Sequence, residues 1–286
     1  SVLLPGGGEA TVSGQLSAQA GKPAYRAKLD GQADNLRAVL SWLGTDVRLF
    51  PASRLRKFAF SAAVSGNDEQ VHVLDTKISV DTTRIDGGVT IALRDRLAFG
   101  ATVNIDNLDL DAYAPRPAPQ KQRAAPASED PPKLGATPSN KAAGSSKPVA
   151  PLAVLNDFDA NIRFSVGRLK AQQVPIRDFR FEGTLVGGVL TIRDASVRDV
   201  GGTRAALSGS LSNFTGIPIF KGTISADAKN PAGLLKLAGV APTVATRSLG
   251  ALRLRGKADA DRVKLDLSLA AVGATIKLAG TGSGFK

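Results

Sequence analysis

Between Leu97 and Ile105 every second residue is apolar: Leu97, Phe99, Ala101, Val103 and Ile105 alternate with Ala98, Gly100, Thr102 and Asn104. A repeat of two places all members of one set on the same face of a strand, whereas a helix would scatter them around its circumference. The pattern recurs in Phe58, Phe60 and Val64, in Val89, Ile91 and Leu93, and in Ile162, Phe164 and Val166. It recurs again in Phe179 and Phe181 and in Val263, Leu265, Leu267 and Leu269. Turn dipeptides punctuate these runs at Asn67-Asp68, Gly187-Gly188 and Gly201-Gly202, and Asp86-Gly87-Gly88 reads as a further turn. The expectation is an all-β chain with a few short helices, its strands forming an antiparallel meander with one apolar face.

Two segments break the alternation. Residues 35–44, NLRAVLSWLG, place Leu36, Val39, Leu40 and Leu43 at helical spacing between an Asn cap and a glycine stop. Residues 230–239, NPAGLLKLAG, repeat the arrangement with proline in the first turn. The residues after each helix also align: Leu55, Phe58 and Phe60 with Leu249, Leu252 and Leu254, then Val71 and Val73 with Val263 and Leu265. This reads as a degenerate internal repeat of a helix and its hairpins.

Residues 115–151 hold nine of the sixteen prolines, with Leu134 and Val149 as their only bulky aliphatics. Such a stretch buries too little apolar area to offset the entropy of ordering, so the sequence predicts a disordered linker. It divides the chain into a first β module, 1–114, and a second, 152–286. Charge divides unevenly between them. The first module carries 12 basic and 13 acidic residues and the linker 6 and 2, whereas the second carries 19 and 10.

Several kinds of chemistry are poorly supplied. Cysteine is absent and His72 is the single histidine, so neither thiolate nucleophiles nor histidine-based triads and metal clusters can be built from this chain. Asp106, Asp109 and Asp111 cluster, the latter two on one strand face, but lack the glycine turn and terminal glutamate of a calcium loop. The glycine pairs lead into strands and no Lys-Ser or Lys-Thr comes after them, so they are turns and not phosphate loops. Nucleic-acid binding would call for aromatic residues among the basic strands, and residues 152–286 contain neither Tyr nor Trp. The expectations are no enzyme activity, no cofactor, no metal and no nucleic acid.

The segment NDFDANIRFSVGRLKAQQVPIRDFRFEGTLVGGVLTIRDASVRDVGGTRAALSGSL, residues 156–211, resembles the AsmA family of bacterial envelope proteins. In the first module LDGQADNLRAVLSWLG and the closing NIDNLDLDAYAP resemble the same family. The resemblance implies a periplasmic portion tethered to the inner membrane by an N-terminal segment absent from this chain, which opens at Ser1. It also implies an elongated, curled, taco-like β-groove that accommodates lipid in transport between inner and outer membranes and in outer-membrane biogenesis.

On that reading the acyl chains of a phospholipid or similar lipid lie along Phe58, Phe60, Val89, Ile91, Leu93, Leu97, Phe99, Val103, Ile105, Phe164, Phe179, Phe181, Leu265 and Leu267. Arg253, Arg255, Lys257 and Lys264 alternate with apolar neighbours and suit contact with anionic headgroups at a membrane surface. Two plainer readings stand beside these. The apolar sets pack as an ordinary sandwich core, or the chain is a non-catalytic scaffold whose partners are envelope proteins.

Overall fold

The computed structural model describes residues 1–19, 22–114, 153–216, 218–229, 249–259, 262–271 and 274–283. The 230–239 helix and the 115–151 linker expected from the sequence lie outside them. The strands are β1 (Val2–Leu4), β2 (Gly8–Gln19), β3 (Lys22–Ala33), β4 (Phe58–Gly66), β5 (Gln70–Val80), β6 (Thr83–Ala92) and β7 (Ala98–Asp109). Then come β8 (Asp159–Ala171), β9 (Val174–Val186), β10 (Val189–Val200), β11 (Thr203–Ser212), β12 (Ile219–Ala228), β13 (Leu249–Asp259), β14 (Arg262–Ala271) and β15 (Ala274–Ser283). One α-helix, α1 (Leu36–Trp42), and two 3-10 turns, Leu110–Ala112 and Ala153–Asn156, complete the described elements.

All fifteen strands join one sheet in sequence order, each pairing with its chain neighbour. The sheet is open and uncurled where the resemblance implied a taco-like curl. Every pairing is antiparallel except β7 with β8, which run parallel. That exception has its origin in connectivity: β7 and β8 are separated by residues 110–158, so no tight hairpin forces them antiparallel. The two segments expected as modules therefore continue each other edge to edge.

Carboxylates lock the parallel joint at both ends. Arg96 Nε donates to Asp159 Oδ1 at 2.7 Å and Arg96 Nη2 to the Phe158 carbonyl at 3.1 Å. The Gly187 amide donates to the same Asp159 oxygen at 3.0 Å, tying in the β9–β10 turn. At the opposite end Asp111 accepts the amides of Gln172 and Gln173 at 2.6 and 2.8 Å. Arg96 beside Asp159, reinforced by the Gly187 amide, holds the Asp159 carboxyl below the usual carboxylate range.

Two sequence expectations are corrected. Asp86-Gly87-Gly88 is not a turn; it lies inside β6. A Cβ on Gly87 would strike the Thr102 carbonyl, so glycine is there to let β7 approach closely, opposite a bulge in β5. Nor do Asp109 and Asp111 share a strand face, because β7 ends at Asp109, which caps the adjoining turn through the Ala112 amide at 3.1 Å.

Helix α1 packs Leu36 and Val39 inward, with Val39 against Gly8, while Gly6 (φ 75°) lets the β1–β2 turn meet Ala38. Asn35 occupies the cap position, but its side chain makes no capping hydrogen bond. The helix stops at Trp42, short of the expected glycine, so Leu43 falls at the cap and points outward instead of joining the packed stripe.

Candidate functional site

The registers resolve the sheet into rows that cross it. One row takes a residue from each of the fifteen strands: Val2, Ala10, Gly31, Phe60, Ile78, Ile85, Ile105, Val166, Phe179, Val197, Ala205, Ala226, Leu254, Leu267 and Leu278. It contains no polar or charged side chain. At about 4.8 Å per strand it runs roughly 65–70 Å, across strands themselves about 35–40 Å long. Parallel to it run a row through Val103, Phe164, Phe181, Leu207 and Ile224 and a row through Ile91, Phe99, Ala160, Leu185, Leu190 and Leu211.

Bulges are what keep these rows on one face. A one-residue slip exchanges the faces of a strand. The shifts at Val73/Thr76 and Ile192/Asp194 each absorb the extra residue, and Asp75, with a φ of 49°, lies within the first of them.

The face is smoothed by aromatic rings laid over glycines. The Phe181 ring covers Gly183, the Phe220 ring covers Gly222, and the Tyr25 ring lies over Gly66. Phe164 meets Phe179 edge-on, with centroids 5.9 Å apart. Most of the face is neither sealed nor bare: Phe58, Phe60, Ile78, Ile85, Val103, Ile105, Phe164 and Phe179 are all half-buried. Ile162 and Ile224 are 38% and 39% exposed. A packed second layer would bury such residues, and among the described elements only α1 and the loops at the other end reach over the sheet.

At that other end Phe214, Leu155 and Phe158 close over Ala160, Leu185 and Phe99, with Phe99 and Phe158 edge to face at 5.4 Å. Of the residues expected to contact lipid, Phe58, Phe60, Val89, Ile91, Phe99, Val103, Ile105, Phe164, Phe179 and Phe181 thus share the apolar face, but Phe99 belongs to this local core. Leu265 and Leu267 hold the matching register positions in β14, their side chains lying outside the described residues. Leu93 and Leu97 fall in the β6–β7 connection and are exposed.

The opposite face is polar and cross-linked by short contacts. The His72 Nδ1 lies 3.1 Å from Thr90 Oγ1, Ser165 Oγ donates to Asn104 Oδ1 at 2.8 Å, and Glu182 pairs with Arg163 and Arg193. Arg253 and Arg255 are on this side, gripping Asp227 through Nε–Oδ1 at 3.0 Å and Nη2–Oδ2 at 2.8 Å. Those two guanidiniums, Arg255 first, draw the Asp227 carboxyl below its ordinary range. Lys257 is exposed beside them, and the Lys264 side chain lies outside the described residues. Arg253, Arg255 and Lys257 therefore stand across the sheet from the expected acyl surface, and a lipid lying on the apolar face does not reach Arg253 or Arg255.

Asp106, Asp109 and Asp111 are each occupied by backbone amides, those of Arg84, Ala112 and Gln172/Gln173. Among the described residues no group of three or more acidic or histidine side chains could hold a metal, and no helix is long and apolar enough to cross a membrane.

One structural device was missed by sequence reasoning. Asp81, in the β5–β6 turn, accepts the amides of Leu55 and Arg56, both at 2.8 Å, and the Tyr113 hydroxyl at 2.9 Å. Its own amide donates to the Lys57 carbonyl at 2.9 Å. This clasp ties the chain after α1 to the end of the sheet. A lone Asp beginning the turn before β6 is the only trace it leaves in the sequence.

Comparison with known proteins finds no matching family model, no matching curated protein and no matching solved structure.

Proposed function

We propose that this chain is a non-catalytic, lipid-accommodating surface of an AsmA-like envelope protein, periplasmic, serving lipid transport between the inner and outer membranes. The observation that carries the reading is the row of fifteen apolar register positions, with Phe60, Ile78, Ile85, Ile105 and Phe179 among those left half-buried. Acyl chains are flexible and apolar and demand no fixed shape, so they suit a long surface with no enclosed pocket. Each methylene withdrawn from water gains about 0.8 kcal/mol, so a long acyl chain gains on the order of 10 kcal/mol.

The test is lipid mass spectrometry on protein purified natively without detergent. Stoichiometric phospholipid is expected, and Ile162→Asp with Ile224→Asp should remove it while leaving the fold intact, because both side chains already face solvent in part. A carboxylate that disrupts three or four methylene contacts costs about 3 kcal/mol, roughly a hundredfold in affinity. A well-folded wild-type protein free of lipid would overturn the reading in favour of a scaffold for envelope proteins.

A further inference from the structure

The chain's single tryptophan points outward. Trp42, Leu43 and Leu49 are 63%, 64% and 64% exposed, three large apolar side chains within eight residues at the sheet end that carries α1. Burial of Leu36 and Val39 on the inner side of the helix leaves these three with no apolar layer of their own.

The segment cannot close on itself, because hydrogen bonds fix it. The Arg37 guanidinium donates to the carbonyls of Val47, Phe50 and Pro51 at 2.7, 3.3 and 3.2 Å, holding the 47–51 turn beside the helix. The amides of Leu36 and Arg37 donate to the carbonyls of Arg56 and Leu55, at 2.7 and 2.9 Å. The Asp81 clasp then fastens Leu55 and Arg56 to the sheet.

Charge identifies what fits against this tip. From Trp42 to Asn67 the charged residues are Asp46, Arg48, Arg54, Arg56 and Lys57, four cations to one acid, although residues 1–114 as a whole hold one more acid than base. Arg56 and Lys57 are exposed, whereas Arg48 is paired with Asp46 through Nε–Oδ1 and Nη2–Oδ2, both at 3.0 Å, and Arg54 lies over the Tyr113 ring. Outward tryptophan and leucine accompanied by exposed cations is the composition that settles at the boundary between phosphate headgroups and acyl chains. A second protein would meet the leucines equally well but gives no reason for the excess of cations left exposed at Arg56 and Lys57.

We propose that the α1 tip docks on an anionic phospholipid bilayer, Trp42, Leu43 and Leu49 entering the headgroup–acyl boundary and Arg56 and Lys57 meeting phosphates. The inference does not depend on lipid lying along the sheet, although docking here sets the β1–β4 end of the apolar face at the bilayer.

Because Trp42 is the single tryptophan, emission excited at 295 nm, where tyrosine is not excited, reports this site alone. Vesicles of phosphatidylcholine with phosphatidylglycerol should shift the emission to the blue and allow quenching by brominated acyl chains; phosphatidylcholine alone should do so weakly. Leu43→Asp and Leu49→Asp should each weaken vesicle partition roughly tenfold or more, with unchanged far-ultraviolet circular dichroism. Arg56→Glu with Lys57→Glu should abolish the preference for phosphatidylglycerol. Emission unchanged at saturating vesicles overturns the proposal, as does vesicle binding that survives both leucine substitutions. Lipid mass spectrometry of the vesicle-free protein reads the sheet separately, so docking without co-purified lipid would refute the transport reading and leave this one standing.

Discussion

Replacing Asp81 with alanine removes three hydrogen bonds to one carboxylate, from the Leu55 and Arg56 amides and the Tyr113 hydroxyl. Hydrogen bonds to a charged group contribute about 1.5–3 kcal/mol each when well shielded. The Asp81 site is half-buried, so a value of about 1 kcal/mol each is appropriate, or roughly 3 kcal/mol for the set. Leu55 holds a φ of 57° that the clasp helps to maintain, so relief of that strain offsets part of the loss and roughly 3 kcal/mol is an upper value. The loss should be local, loosening the segment after α1 before the sheet opens. Hydrogen–deuterium exchange read on peptides covering residues 43–57 should show roughly a hundredfold loss of protection at pH 7. Asp81→Asn keeps one acceptor oxygen and should lose about half as much free energy. Burial pushes the Asp81 carboxyl up, but the Arg56 and Leu55 amides and the Tyr113 hydroxyl outweigh it, so its pKa lies below the ordinary value. A depressed folded-state pKa contributes stability above the unfolded value of about 3.9, lost as the pH falls through the folded-state pKa. The difference between wild type and Asp81→Ala should therefore be full at pH 7 and shrink below about pH 4. Protection in Asp81→Ala within threefold of wild type at pH 7 would refute this account of the clasp.

Two further predictions concern Tyr113 and Gly222. Burial, then the hydrogen bond to Asp81, push the Tyr113 hydroxyl up to about 12; in a Tyr25→Phe protein the 295 nm titration should show that value, with the associated stability complete below about pH 10 and lost on the way to the folded-state pKa. A midpoint near 10 would contradict it. Gly222→Ala would drive a Cβ against the Ser208 carbonyl, the Gly209 Cα and the Phe220 ring, and should cost about 1–3 kcal/mol in a thermal melt, whereas Gly280→Ala, with nothing within 4 Å, should be neutral.

Period-two alternation carried most of the fold. Leu97 to Ile105 and Ile162 to Val166 could be placed on common faces because a strand's side chains obey simple parity. Parity failed at a bulge: at Asp75, where φ turns positive, the chain slips by a residue yet keeps its apolar set inward, and no side-chain pattern announces that. The parallel β7–β8 joint was hidden because its two strands lie on either side of the proline-rich stretch. The glycines misled in one place and informed in another. Gly87-Gly88 looked like a turn and is a close approach, while Phe181-Glu182-Gly183 and Phe220-Lys221-Gly222 spell an aromatic-x-glycine pairing that a strand reading could have used. Leu43 was placed on the packed stripe by helical spacing, and only the early stop of α1 turns it outward.

A single β layer this wide is unusual, because a sheet with one apolar face normally buries it against a second layer. Here the described elements cover its two ends and leave the middle rows half-buried. Acyl chains would complete the missing layer, and the proposed function rests on taking them as that layer. The energetics then constrain the mechanism. A bilayer withdraws methylenes from water as well as this face does, so moving a chain from one to the other is close to neutral, even though either environment is about 10 kcal/mol better than water. On the proposed reading, a surface of this kind would lower the barrier to lipid transit by removing the aqueous step, and would work equally in both directions. Net flow would have to be imposed by supply at one end or consumption at the other. That makes the α1 tip the more informative place to intervene: abolishing its docking should slow entry and exit at that end equally, without changing how much lipid the sheet holds at equilibrium.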